Sequence, residues 1–319
     1  MMFFDDWGPQ LSMISLSSQR EPMNLKRDRV FHKRLGRGRL VKALVLGAVV
    51  LVTGGCSIKL AYNNVDRLVR WGVSDYVDLD RQQKAALTEG INRIHRWHRY
   101  NHLPLYADYM TELAVVLSDG VTPQDLEAIN EQLFTWADEV EAQATPFVIE
   151  MMVSLSDAQI SALPEKLEDS NVEIAEPETD VSLEDAQALW VEEFTDTLKR
   201  FTGRLNRSQR EYITRRSSGY RPERVLWADY RRRFQKDLMT ILETRADREK
   251  FANAYRDLIE RRETYYGPEL TEVFEHNQQL NREVAAYVLS NLTDAQGEQF
   301  KERLLELGED FLELSQQEV

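Results

Sequence analysis

The sequence contains a single cysteine, Cys56, among its 319 residues. An intramolecular disulfide needs two cysteines and a cysteine-based zinc cluster needs several, so both are excluded. Glycine-rich phosphate loops, helical His-Glu-x-x-His motifs and a nucleophile with a recognisable base are missing from the sequence as well. We therefore predict a protein without cofactor or resident metal that is not an enzyme.

Strand signals are also lacking. No alternating runs are joined by Asn-Gly or Asp-Gly turns, since Asp119-Gly120 leads into Thr122-Pro123, which reads as a helix start. Residues that are mostly apolar recur at helical spacing instead, on two faces: Leu87, Ile91, Ile94 and His98; Leu270, Val273, Asn277, Leu280, Val284 and Tyr287. This periodicity predicts an all-α fold, a single domain of roughly eight to ten helices.

Basic residues are outnumbered by acidic ones from Cys56 onward. The chain has 40 Lys and Arg against 54 Asp and Glu, and the segment before Cys56 holds 9 of the basic and 4 of the acidic residues. The remainder carries a net charge near −19. Because non-specific binding to nucleic acid depends on Lys and Arg displacing counterions, we expect no nucleic-acid partner.

Long hydrophobic runs are absent too. A basic segment starts at Met23, and the uncharged run that follows, Ala43 to Val52, is only about ten residues long, whereas a membrane-spanning helix needs about 20. A basic region before a short apolar one is typical of a secretory signal. We interpret residues 23–55 as a signal peptide.

Small residues precede the cysteine in Thr53-Gly54-Gly55-Cys56, and this sequence resembles the bacterial lipobox. The resemblance implies cleavage between Gly55 and Cys56 and lipidation of Cys56. Several acyl chains, at about 0.8 kcal/mol per buried methylene, would anchor the protein permanently. Ser57, where aspartate would resemble an inner-membrane retention signal, favours the periplasmic face of the outer membrane.

Residues 1–22 fit an export signal poorly, because they contain Asp5, Asp6 and Glu21. We interpret them as an upstream extension produced by a misassigned start, with Met23 as the true start. The mature domain is then 56–319. Within it, the acidic, proline-containing stretch 163–185 predicts an exposed loop.

One short pattern occurs four times, namely leucine, a capping residue, two spacers and glutamine. The four occurrences begin at Leu79, Leu155, Leu205 and Leu292. The capping side chain can accept from the backbone N–H three residues later, and the glutamine can reach back to the cap's own N–H. Each occurrence therefore predicts the beginning of a helix.

A local excess of arginine is the strongest charge feature of the mature chain. Surrounding acidic helices could neutralise it, or it could bind an envelope polyanion or an acidic partner through bidentate guanidinium contacts. The candidate residues are Arg207, Arg210, Arg215, Arg216, Arg221, Arg224, Arg231, Arg232 and Arg233.

Aromatic residues cluster around Trp97, His98, Arg99 and Tyr106, which could line a groove for a ligand. Such clusters more often form core. His95, His98 and His102 have a spacing that could share a metal ion, but no nearby carboxylate completes the set, and we favour packing and hydrogen bonding for them.

Cys56-Ser57-Ile58-Lys59-Leu60-Ala61-Tyr62-Asn63-Asn64, Trp71, Tyr76 to Leu79, Gln83 and Trp97-His98-Arg99 through Tyr106 resemble a family of Gram-negative lipoproteins defined only as a domain of unknown function. The resemblance covers essentially the whole mature chain and implies an exported helical lipoprotein. It supplies no catalytic residues.

A second similarity concerns small helical periplasmic chaperones of the Spy type, which carry Leu-Thr-x-x-Gln motifs; only Leu292 to Gln296 matches that form fully. We therefore expect an envelope interaction or scaffold protein that binds another protein or a cell-wall component. A chaperone-like holdase is the alternative, and an enzyme is the less favoured third.

Overall fold

The computed structural model describes residues 56–117 and 120–318. These residues form twelve α-helices and no strand, which confirms the all-α prediction. The helices are α1 (Cys56–Asn63), α2 (Val65–Tyr76), α3 (Arg81–Asn101), α4 (Leu103–Val116), α5 (Pro123–Val153), α6 (Asp157–Ala175), α7 (Leu183–Thr202), α8 (Arg207–Arg216), α9 (Arg224–Leu242), α10 (Arg248–Glu260), α11 (Gly267–Ser290) and α12 (Asp294–Gln316). Short 3-10 turns cover Glu176–Glu178, Ser217–Gly219 and Arg262–Tyr265.

The predicted number of helices, eight to ten, was too low for the described residues. Asn64 alone separates α1 from α2, and His102 alone separates α3 from α4. A break of one residue hardly disturbs the apolar period, so periodicity could not count these helices separately. Helix α11 begins at Gly267, which has a φ of +70°, a left-handed conformation that glycine adopts without strain.

The predicted acidic loop at 163–185 is wrong over most of its length. Helix α6 continues to Ala175 through Pro164, and only residues 176–182 separate it from α7. Leu163, Leu167 and Asn171 are all buried, four residues apart in turn. That spacing places one sparse stripe against the core while the acidic residues between them face solvent, and a composition-based reading missed the stripe.

Two aromatic-rich clusters form much of the apolar core. The larger one lies among α5, α6, α9, α10 and α11 and includes Trp227, Tyr230, Phe234, Phe251 and Tyr255. The second joins α7, α8 and α11 around Trp190, Phe194 and Val284. Both predicted apolar faces contribute buried residues, among them Leu87 and Ile91 in α3 and Leu280 in α11.

The most extensive contact between helices joins α4 to α12, so the last helix packs against the fourth. Gly308 permits this approach, since a Cβ added there would lie 3.1 Å from the carbonyl oxygen of Ala107. None of the described helices combines the length and the apolar character that crossing a bilayer requires.

Candidate functional site

The first described helix begins at Cys56, the residue that the sequence predicts to be lipidated. The predicted signal peptide (23–55), the upstream segment (1–22) and Gly55 lie outside the described residues. Helix α1 is fastened to α12 by Lys59, whose Nζ lies 3.0 Å from Asp310 Oδ1 and also pairs with Glu313. Further along α1, Asn63 Nδ2 donates to Gln317 Oε1 at 3.0 Å.

A polar and aromatic cluster lies beneath α1, formed by Tyr62, His95, His98, Arg99, His102 and Tyr106; we call it the amino-terminal cluster. Tyr62 Oη is 2.9 Å from His98 Nδ1, and Tyr106 Oη is 3.2 Å from His98 Nε2. The His98 and His102 rings stack with centroids 5.3 Å apart.

Arg99 ties three helices of this region together. Its guanidinium donates to Asn63 Oδ1 on α1 at 2.6 Å and to the carbonyl oxygen of Leu314 on α12 at 2.7 Å. It also lies over the Tyr62 ring, 5.0 Å from the centroid. Arg99 is only 3% exposed, so these contacts compensate a charge that has lost its water.

Burial controls the ionisation of the cluster. It lowers the pKa of His98 to about 4, and the neighbouring His102 and His95 add to the effect. Burial likewise lowers the pKa of His95 and of His102, although Glu139, 3.5 Å from His102 Nε2, opposes the shift for His102. These histidines are therefore neutral near pH 7.

The predicted groove residues do not line an open groove. Arg99 is buried against α12, and His98 is bonded on both ring nitrogens. Trp97 packs on His102 with ring centroids 4.6 Å apart, and Tyr106 packs on Trp136 at the same distance. The residues come together as predicted, but between helices, because aromatic rings here fill the α3–α4 corner.

Within the described part of the chain, no three His, Cys, Asp or Glu side chains are placed to hold a metal ion.

The arginine-rich stretch is partly neutralised by neighbouring helices. Four of the nine candidate arginines form ion pairs with acids of other helices: Arg216 with Glu283, Arg221 with Glu272, Arg224 with Glu193, and Arg232 with Glu168. They therefore do not form a free basic face.

The other five candidate arginines are divided between the interior and the surface. Arg231 is buried and donates to Asn171 Oδ1, and Arg233 donates to the carbonyl oxygens of Tyr265 and Tyr266. The remaining three, on α8, are exposed. Arg207 pairs with Glu211, Arg210 donates to the Leu205 carbonyl oxygen, and Arg215 lies over the Tyr212 ring.

All four predicted capping boxes are present, at the beginnings of α3, α6, α8 and α12. The structure adds that their glutamines pair. Gln83 and Gln159 each donate Nε2 to the other's Oε1, at 3.1 and 2.7 Å. Gln209 and Gln296 do the same at 3.0 and 3.1 Å. We call these the first and second glutamine pairs.

The two pairs share a second set of bonds. Each glutamine also donates to the carbonyl oxygen of the residue two positions before its partner's capping residue. In the first pair these carbonyls belong to Ser154 and Asp78, and in the second pair to Asn291 and Arg204. Each glutamine amide is thus fully used inside the fold, which accounts for the repeated pattern without a client-binding role.

Buried carboxylates form another cluster that the sequence did not indicate. Glu178 accepts from Tyr220 Oη at 2.6 Å and from the backbone N–H of Arg224 at 2.6 Å. Arg224 also donates to both carboxylate oxygens of Glu193, at 2.8 and 2.9 Å. Burial raises the pKa of Glu193, and Arg224 opposes that shift. These bonds join α7 and the 3-10 turn before it to the beginning of α9 and to Tyr220, which precedes α9.

Two surface clefts accompany these clusters. One, of about 460 Å³, lies between α3 and α5 and includes Gln83, Glu89, Gly90, Phe147 and Glu150. The other, of about 240 Å³, lies between α8 and α11. In the second cleft Arg216 is paired with Glu283, and Arg215 also lines the cleft.

A family model described as a family of unknown function, DUF6279, matches residues 75–271. The chain belongs to this family. The match confirms the expectation of a family without an established function, but it covers less of the mature chain than we predicted. The matched residues include both glutamines of the first pair but only Gln209 of the second, and Cys56 precedes the match. No curated protein and no solved structure matches the chain.

Proposed function

We propose that this DUF6279 protein is a lipid-anchored envelope protein, attached through Cys56 to the periplasmic face of the outer membrane. In this proposal its helical domain is a scaffold that binds another envelope protein or a cell-wall component. The observation that carries the proposal is the position of the one cysteine in the sequence, Cys56, directly after a basic segment and a short apolar run. The signal-peptide pattern and the lipobox resemblance support it from the sequence side.

The anchor is tested by expressing the full chain in a Gram-negative host beside a Cys56→Ala variant. We expect the wild type to have the mass of a chain starting at Cys56 plus acyl groups, and to fractionate with the outer membrane. Cys56→Ala should lose both properties, whereas Ser57→Ala, a matched neighbouring substitution, should keep the acyl mass. An unmodified, cytoplasmic wild-type protein would contradict the proposal.

The scaffold role is tested by site-specific photocrosslinking in intact cells. Val116 and Phe134 are large apolar residues that are 52% and 42% exposed, so a crosslinking residue placed there can reach a partner. The fully buried Ile213 is the matched negative position. A discrete crosslinked species from an exposed position, absent at Ile213, is expected. Exposed positions that yield only the uncrosslinked chain would contradict the scaffold role.

A further inference from the structure

We infer that α1 is seated on the bilayer surface, so that the domain is held against its membrane instead of hanging from it on a flexible tether. The inference rests on the proposed lipidation of Cys56 and adds a membrane-contacting surface and a lipid partner to it. Its basis is the short and firmly bonded connection between the anchor residue and the body of the fold.

The first step is the distance between the anchor and the body. Helix α1 begins at Cys56, and Lys59 pairs with Asp310 and Glu313 of α12. Since a helix rises about 1.5 Å per residue, the backbone of the anchor residue lies only about 5 Å along the axis from that attachment. Acyl chains on this residue would therefore bring the bilayer to the side of α1.

The second step is the strength of the attachment. Besides Lys59, the bonds of Tyr62 to His98 and of Asn63 to Arg99 and Gln317 fix the next turn of α1. These contacts come from α3, from α12 and from Gln317 directly after α12. A segment bonded to two helices cannot act as a loose spacer between lipid and domain.

The third step is the chemistry that α1 presents. Leu60 is 64% exposed and lies one turn after the anchor position, so positions 56 and 60 share a flank of the helix. An exposed leucine beside acyl chains can enter the boundary between headgroups and chains, where apolar side chains of surface helices lie about 5–10 Å deep.

The fourth step is charge. The mature chain is strongly acidic, and an acidic surface is repelled by anionic lipid. Helices α1 and α2 have no acidic excess of their own, since residues 56–76 contain three basic side chains, Lys59, Arg67 and Arg70, against the two acids Asp66 and Asp75. Lys59 and Arg70 are held in ion pairs, so the segment nearest the anchor adds little repulsion of its own at the lipid headgroups.

The test uses the fact that Cys56 is the only cysteine. Once its sulfur is lipidated, a cysteine introduced elsewhere is the one free thiol. Leu60→Cys is labelled with a thiol-reactive bimane in the full lipidated protein and reconstituted in phosphatidylethanolamine–phosphatidylglycerol vesicles with brominated acyl chains. Leu183→Cys, at the beginning of α7 and 57% exposed, is the matched control.

We expect brominated lipid to quench the label at position 60 about twofold or more beyond the label at position 183, the depth expected of a surface helix. A ten-residue Gly-Ser insertion after Ser57, which spans roughly 18 Å as a flexible chain, should bring the two positions to the same quenching. Equal quenching without the insertion, or excess quenching that survives it, would overturn the seating of α1.

The mass of the labelled protein separates the two proposals. Equal quenching in a protein that carries the acyl mass overturns only the seating of α1 and leaves the lipid anchor standing. A protein without the acyl mass overturns both.

Discussion

The two glutamine pairs use the same bonds but lie in different surroundings. In the first pair Gln83 is 6% exposed and Gln159 is only partly buried, whereas in the second pair Gln209 is 1% and Gln296 is 7% exposed. Water can replace a lost bond at Gln159 but not at Gln209. Identical hydrogen bonds should therefore contribute differently to stability, because the cost of breaking them depends on access to solvent.

The largest effect is expected when the more deeply buried glutamine, Gln209, is removed. Gln209→Ala leaves the Asn206 N–H, the Asn291 carbonyl oxygen and the Gln296 amide without their partner, and should lower the free energy of unfolding by about 3 kcal/mol. The matched Gln159→Ala variant should cost about 1 kcal/mol, because water reaches its site. Urea denaturation of both variants measures the difference. Equal costs would show that burial does not distinguish the pairs.

Lowering the pH should destabilise the region of the first pair more than that of the second. Three histidines lie on or beside α3, the helix whose first turn contains Gln83. Burial holds the folded pKa of His98 at about 4, below its ordinary value of 6.5. The unfolded chain therefore binds a proton between these pH values while the folded chain does not, and stability falls as pH drops through this window. His98 should account for a loss of about 2 kcal/mol between pH 8 and pH 5.

This pH dependence is measured by urea denaturation of the wild type and His98→Gln at both pH values. The variant should lose less stability on acidification, because glutamine does not titrate and can keep a bond to Tyr62. Hydrogen exchange, corrected for intrinsic rates, should show the loss of protection in α1 and α3 before α8. The same acid sensitivity in both proteins would contradict the assignment to His98.

The smallest expected effect compares a glycine in α3 with a glycine in α12. The first turns of these two helices contain Gln83 of the first pair and Gln296 of the second. A Cβ at Gly90 would lie 2.0 Å from the Phe147 ring, whereas a Cβ at Gly297 meets nothing within 4 Å. Gly90→Ala should destabilise the protein by about 1–2 kcal/mol through overpacking. Gly297→Ala should stabilise it by about 0.5–1 kcal/mol through helix propensity. Thermal unfolding of both variants tests the opposite signs.

Local features were predictable and distant ones were not. The four capping boxes follow from residues within a few positions of one another, and each predicted helix start is confirmed. The pairing of their glutamines joins residues 76 and 87 positions apart, and nothing in the local pattern indicates which box meets which. Only the repetition of the pattern could have indicated that the glutamines pair, and capping accounts for that repetition without any pairing.

Composition gave a wrong prediction for α6, where a few apolar residues at helical spacing determine the structure. The acidic stretch in α6 looked like a loop because large apolar residues are few, yet Leu163 and Leu167 were enough to bury one side of a helix. In the arginine-rich stretch, by contrast, composition described the charge correctly but not its use. Whether an arginine such as Arg216 faces Glu283 or solvent depends on helices distant in sequence.

The sequence by itself determined the helical class, the starts of the capped helices and the prediction of an anchor at Cys56, because these depend on periodicity, capping chemistry and a contiguous signal. Only the tertiary structure decided that α1 is bonded to α3 and α12, that the glutamines pair, and that His98 and Arg99 are buried. Each of those properties depends on the loss of water between surfaces far apart in the chain, and burial determines both the pKa of His98 and the cost of breaking a glutamine pair.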